Sequence, residues 1–244
     1  MKDHKEPDIK RLLKAFKLEK PDRVPYWEPG ITNEKIREFL LGRKLGKAIK
    51  VADHVEIAKR IGMDAIGFGV YYSPGRVSKK ASDGHFRYVG GSIKNWDDLK
   101  TIKRLKVESL PGLAKLETYL EVTKNTDIGI WAYVHGPFDP VYLGMGLIDF
   151  MLKLYDDFKF VEYLMDFILE IQCEIVEEMV KLGLSFIRIG DDVAINNGLL
   201  IRPGLFKKLY VPRFKKLIEP AKEAGIPVTF HSDGNIEEKI PILI

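Results

Sequence analysis

The side chains best suited to chemistry close three apolar runs. Thr229-Phe-His231-Ser-Asp233-Gly234 ends one run with an imidazole and a carboxylate two residues apart. Ile189-Gly-Asp191-Asp192 ends a second with paired carboxylates, and Tyr133-Val-His135-Gly136 ends a third with another imidazole. Alternate residues of an extended segment point the same way, so His231 and Asp233 can share a metal ion. Alternatively the carboxylate orients the ring for proton transfer. Asp before Gly also caps turns, and Asp191-Asp192 can cap a loop. Other signals argue against particular chemistries. Gly67-Phe-Gly69 follows an apolar run, but Tyr72 stands where a dinucleotide fingerprint needs its third glycine. Neither nicotinamide nor flavin is expected there. No Gly-x-Ser-x-Gly elbow or phosphate loop occurs, and Cys173 lies in a helical pattern as an inert thiol.

Strands must carry these groups, and parity sorts them. Thr229, His231 and Asp233 share one face, opposite Val228 and Phe230. Trp131, Tyr133 and His135 oppose Ile128, Ile130, Ala132 and Val134, while Arg188, Gly190 and Asp192 oppose Ile187 and Ile189. In each case aliphatic side chains would meet a helix layer and polar ones an interior. Five strands are expected, near residues 23, 65, 130, 187 and 229. Helices are expected over about 9–16, 33–41, 50–61, 111–124, 148–182 and 213–224, another opens at Asn95, and Pro203 sits early in one more. Residues 70–92 read as a hairpin insertion turning at Asp83-Gly84. Strand and helix alternate without linker or repeat, so residues 1–244 form one α/β domain with a parallel sheet.

The balance of 39 basic and 35 acidic residues gives +4, spread along the chain. No concentrated basic face with interleaved aromatics suggests nucleic acid, whereas an anionic small molecule suits the charge. No apolar run approaches the ~20 residues of a membrane helix. The acidic opening Met1–Asp8 lacks a leader's apolar core, and a single cysteine fits a reducing cytoplasm, the expected location.

The last third resembles the uroporphyrinogen decarboxylase superfamily in order and spacing. The resemblance rests on Gly190-Asp191-Asp192-Val-Ala, Gly198-Leu-Leu-Ile-Arg-Pro203, Leu205-Phe206, Val211-Pro212 and Ile226-Pro-Val-Thr-Phe-His231-Ser-Asp-Gly-Asn-Ile236. Arg23-Val-Pro-Tyr-Trp27, Asp83-Gly84 and His135-Gly-Pro-Phe138 resemble its earlier landmarks. The resemblance implies a TIM (β/α)8 barrel with its cleft at the strand C-termini, here truncated after about five strands. An open sheet of that kind has an unpaired edge, so a homo-oligomer, or a fragment inactive until a partner completes it, is expected.

The superfamily holds decarboxylases of tetrapyrrole acetates and methyltransferases working between corrinoids and thiols. Substrate-gripping arginines of the decarboxylases are replaced here by Glu28-Pro-Gly, and their second-strand aspartate by Gly67-Phe-Gly-Val-Tyr71. The resemblance therefore favours the methyltransferase-like branch, acting on a small molecule or a corrinoid protein. A carboxylated tetrapyrrole or small acid, decarboxylated, is the alternative. That branch's zinc-binding His-x-Cys reads His231-Ser-Asp233 here, a harder donor pair, and zinc is the metal to test. The third ligand would come from Glu28, His135, Asp192 or residues beyond the end. The catalytic set is then His231, Asp191 and Asp192; metal ligands are His231, Asp233 and Glu28; Trp27, Tyr71 and His135 line the cleft.

Overall fold

A computed structural model of the chain describes residues 6–45, 49–237 and 240–243. Met1–Lys5, on which the leaderless expectation partly rests, lie outside them. Four parallel strands form the sheet in the order β1 (Ala65–Gly69), β4 (Gly129–His135), β5 (Phe186–Gly190) and β8 (Val228–His231). The fifth expected strand shrinks to a single bridge from Trp27 to Ala65. Four strands do not close a barrel, so the structure shows an open α/β sheet with barrel-like winding. β8 is its edge among the described residues.

Helices cover one sheet face, as the parity requires. Ile130, Ala132 and Val134 of β4 join a core with α5 (Pro111–Thr123) and the long α8 (Phe158–Lys181). The opposite face buries Ala65, Trp131 and Phe186 against Leu12, with Ile9 and Phe16 from α1 (Ile9–Phe16). Thus α1 plugs the N-terminal end of the strands. Asp64, fully buried, secures it there. Its carboxylate accepts from Arg11 and Arg23 at 2.9 Å each and from the Asp8 and Tyr26 N–H groups at 2.8 Å. Those donors offset the desolvation cost of a buried charge.

α2 (Glu34–Leu41) and α3 (Val51–Ile61) start and stop where local chemistry dictates. The Asn33 side chain caps α2, and Gly42 ends it in the left-handed region. The insertion is the expected hairpin, β2 (Arg76–Lys80) with β3 (Phe86–Gly91). It rests on α6 (Asp139–Met145), where Gly91 has no side chain and backbone meets backbone at Gly144. Two helix expectations need correction, and one element is additional. The helix near Asn95 is only one turn, α4 (Trp96–Leu99). The region 148–182 is two helices, α7 (Leu147–Asp156) and α8, because Asp157 breaks the chain and caps α8. A small hairpin, β6 (Ala194–Ile195) with β7 (Gly198–Leu199), was not foreseen. It precedes α9 (Pro203–Leu205), a π-turn over Phe206–Tyr210, α10 (Val211–Glu223) and the short α11 (Ile240–Leu243). No helix among the described residues is long and apolar enough to cross a membrane.

Candidate functional site

Register sets the site in rows across the inner face. His135, Gly190 and His231 are neighbours at the C-terminal ends of β4, β5 and β8, and Tyr133, Arg188 and Thr229 form the row beneath. Gly190 keeps its place because the Tyr133 ring lies where a Cβ would stand. Tyr71 occupies the equivalent space above Gly69. Missing side chains in one strand thus make room for rings from another. Tyr71, Tyr133 and His135 form a cluster with ring centroids 5.2–5.5 Å apart.

At the β5–β8 rim, His231, Asp192 and Asp233 converge. Each offers a ligand atom, and these atoms lie within 4.8 Å of one another. His231 Nε2 stands 3.5 Å from Asp233 Oδ1, and the Asp233 N–H donates to Asp192 Oδ1 at 2.8 Å. Gly234, at φ 86°, lets the turn after β8 pack on the backbone of Ala194 and Ile195, where any side chain would collide. One imidazole and two carboxylates suit a borderline or hard divalent cation better than a thiolate site would. The donors present therefore fit a catalytic ion with three protein ligands and an open side. Such an ion's chemistry would be Lewis-acid activation of a thiol or water.

One residue earlier, Asp191 turns the other way. It is buried, and its oxygens accept the N–H groups of Phe138 at 3.1 Å and Asp139 at 2.6 Å. Gly136 has no Cβ, and the Asp191 carboxylate fills that space. Burial pushes the Asp191 carboxyl well up, and the nearby Asp139 charge adds to this. The buried Tyr210 hydroxyl interacts with this carboxyl without reaching full hydrogen-bond geometry. Asp139 is likewise pushed up by burial, although His135 Nδ1, at 3.0 Å from its Oδ1, pulls it back. The Tyr133 hydroxyl is 3.1 Å from the same nitrogen. This tyrosine–histidine–aspartate chain can hold or pass a proton.

The expected site residues are distributed unevenly. His231, Asp192 and Asp233 are together; Tyr71 lines the cleft, and His135 is buried in the aromatic cluster. Trp27 is not at the cleft. It packs edge-on against Trp131 and Phe186 in the layer that α1 closes, because its strand pairs only at the N-terminal end of β1. Glu28 is not brought into the metal group; it lines a small recess with Ile31 and His54 beside β1, at the sheet's other edge. Asp139 has no local signal of its role, because His135 ends β4, Asp139 opens α6, and the turn between them brings the two together. Arg37 and Lys115, which line the cleft, have no local signal at all.

The family model described as uroporphyrinogen decarboxylase (URO-D) matches residues 7–243. No curated protein matches the chain. Among solved structures, a methyltransferase from Methanosarcina mazei is similar at TM-score 0.64 and 21% identity. The match covers 95% of this chain and 71% of that one, a likeness of fold.

Proposed function

The chain belongs to the uroporphyrinogen decarboxylase family, and from that premise we propose an enzyme of its methyltransferase-like branch, moving methyl groups between a corrinoid and a thiol. The observation carrying this reading is the convergence of His231, Asp192 and Asp233 within 4.8 Å at the strand C-termini. A bound divalent ion would lower the pKa of a thiol presented to it. The chain's own residues would do the rest. The Asp233 N–H holds the Asp192 carboxylate toward the ion, Asp191 fixes the 138–139 backbone under the site, and the Tyr71–Tyr133–His135 cluster lines the approach. A small thiol and a corrinoid-carrying protein are the partners proposed.

The test is metal content. Purified protein dialysed against zinc should retain about one ion per chain, and His231→Ala should lose it. Absence of metal from the native chain, or equal retention by the variant, would sink the metal role.

One observation favours a second reading, decarboxylation of a carboxylated tetrapyrrole or small acid. Burial pushes both Asp139 and Asp191 up, which favours the protonated form of each. When a C–C bond breaks and CO2 leaves, the carbanion left behind needs a proton, which such an acid can supply through Tyr133 and His135. Incubation with uroporphyrinogen separates the readings: porphyrinogen products of fewer carboxyls would replace the methyltransferase assignment.

A further inference from the structure

Opposite the acidic rim, three cations line one cleft. Arg37 comes from α2, Lys115 from α5 and Arg188 from β5, around a space of about 310 Å³ floored by Gly67, Gly69 and Trp131. No aspartate or glutamate among the described residues lines it. Among the described residues, none of the three has a carboxylate partner. Arg11, Arg23, Arg43, Arg60, Arg87, Arg104 and Arg213 do, while Arg76 and Arg202 lie over the Tyr88 and Tyr155 rings instead. The Arg37 Nε is buried without a hydrogen-bond acceptor. Lys115 Nζ sits 3.7 Å from the Phe68 ring centroid, and the Arg188 guanidinium 5.6 Å from that of Tyr133.

Neighbouring groups respond to these charges and to their burial. Burial pushes the Lys115 amine down. His54, also on the lining, is pushed down by burial first and then by Lys115 and Arg37. Arg188 reaches both Tyr71 and Tyr133 electrostatically. Gathering like charges on a partly desolvated wall opposes folding, and an unpartnered buried guanidinium nitrogen adds to that cost. A bound anion reverses both terms with charge-assisted hydrogen bonds. Glu28 is exposed in the adjoining recess of about 30 Å³ and does not line this wall, and Asp53, which acts electrostatically on His54, pairs with Arg43 instead. A duplex or single-stranded nucleic acid does not fit so small a space, whereas a small organic acid does.

We propose that this cleft is an anion-binding subsite, in which Arg37, Lys115 and Arg188 hold the carboxylate, phosphate or sulfonate of a small organic substrate. Tyr71, Trp131 and Tyr133 pack its body. Arg188 pairs in register with Thr229, two residues before His231. The subsite stands on different residues from the metal reading and survives that reading's failure.

Calorimetric titration of the full chain at low ionic strength tests it, with citrate, inorganic phosphate and methanesulfonate as separate arms and glycerol as the uncharged control. At least one anion should bind one to one, and the arm that binds names the group recognised. Lys115→Met and Arg188→Gln should each weaken binding about tenfold or more, with Arg188→Lys recovering part of the loss. Lys79→Met and Arg76→Gln on the hairpin should leave it unchanged, and His231→Ala should abolish zinc retention without moving anion affinity. Circular dichroism melting verifies that the variants fold, and Lys115→Met carries the test alone if Arg188 variants do not. The proposal is overturned if no anion binds the native chain, or if the folded cleft variants bind as tightly as native.

Discussion

The two charged groups that the sheet carries differ in sign and in depth. The β8 side carries His231, Asp192 and Asp233 on an edge strand that is half-buried along its length, and the Asp233 side chain is 81% exposed. Arg37, Lys115 and Arg188, from α2, α5 and β5, stand in a cleft walled by α2, α3 and α5. A charge facing water is screened, whereas one in a partly desolvated cleft acts strongly. The acidic rim therefore needs an ion to gain real hold, while the basic wall can orient an anion by itself.

A second contrast lies within the acidic side, between adjacent carboxylates. Asp191 is 1% exposed and serves the backbone of Phe138 and Asp139; Asp192 faces the rim. The sharpest way to break that distinction is stability. Asp191→Ala leaves two buried N–H groups without acceptors and should cost about 3 kcal/mol in urea denaturation. Asp192→Ala should cost about 1 kcal/mol or less. Equal losses would erase the division of labour.

Next in size is the metal. Asp192→Ala should weaken zinc binding at least ~10-fold, about 1.4 kcal/mol, while Glu28→Ala leaves it unchanged. A loss on removing Glu28 would instead link the two charged groups. Smaller again is the fit between strands. Gly190→Ala places a methyl where the Tyr133 ring lies and should cost about 1 kcal/mol, seen as a lower melting temperature. A neutral result would mean that the ring moves aside freely. The slightest effect concerns protons. The buried carboxyls of Asp139 and Asp191 are raised in the folded state, so their contribution to stability is complete below the ordinary carboxyl range. It is lost as pH rises through the raised folded values. Urea midpoints should fall with rising pH in the native chain and fall less in Asp139→Asn. A midpoint rising over that window would reverse the sign assigned to burial.

Much of the frame was legible because it is local. Asn33 and Gly42 bracket α2, Asp83-Gly84 turns the hairpin, and the alternation in Ile130-Trp-Ala-Tyr-Val134 divides the two faces of the sheet. Where the outcome rested on distant partners, local reading fell short. Val24–Trp27 has the composition of a strand, yet a strand needs a neighbour's backbone, and contact is limited to the Tyr26 carbonyl, which accepts the Asp64 N–H, and the Trp27–Ala65 bridge. The run 148–182 is helical throughout in pattern, but Asp157 competes with the backbone as a cap and divides it.

The sequence by itself determined the alternating architecture, the inward direction of His231 and Asp192, and the pairing of His231 with Asp233 two residues on. These follow from side-chain period and turn chemistry, which act over a few residues. Only the tertiary structure decided that Asp191 is buried, because that depends on Gly136 and on two N–H groups more than fifty residues away. It likewise brought Arg37, Lys115 and Arg188 to one wall. Electrostatic neighbourhood is a property of distance in space, and three separated elements had to pack before these charges could meet.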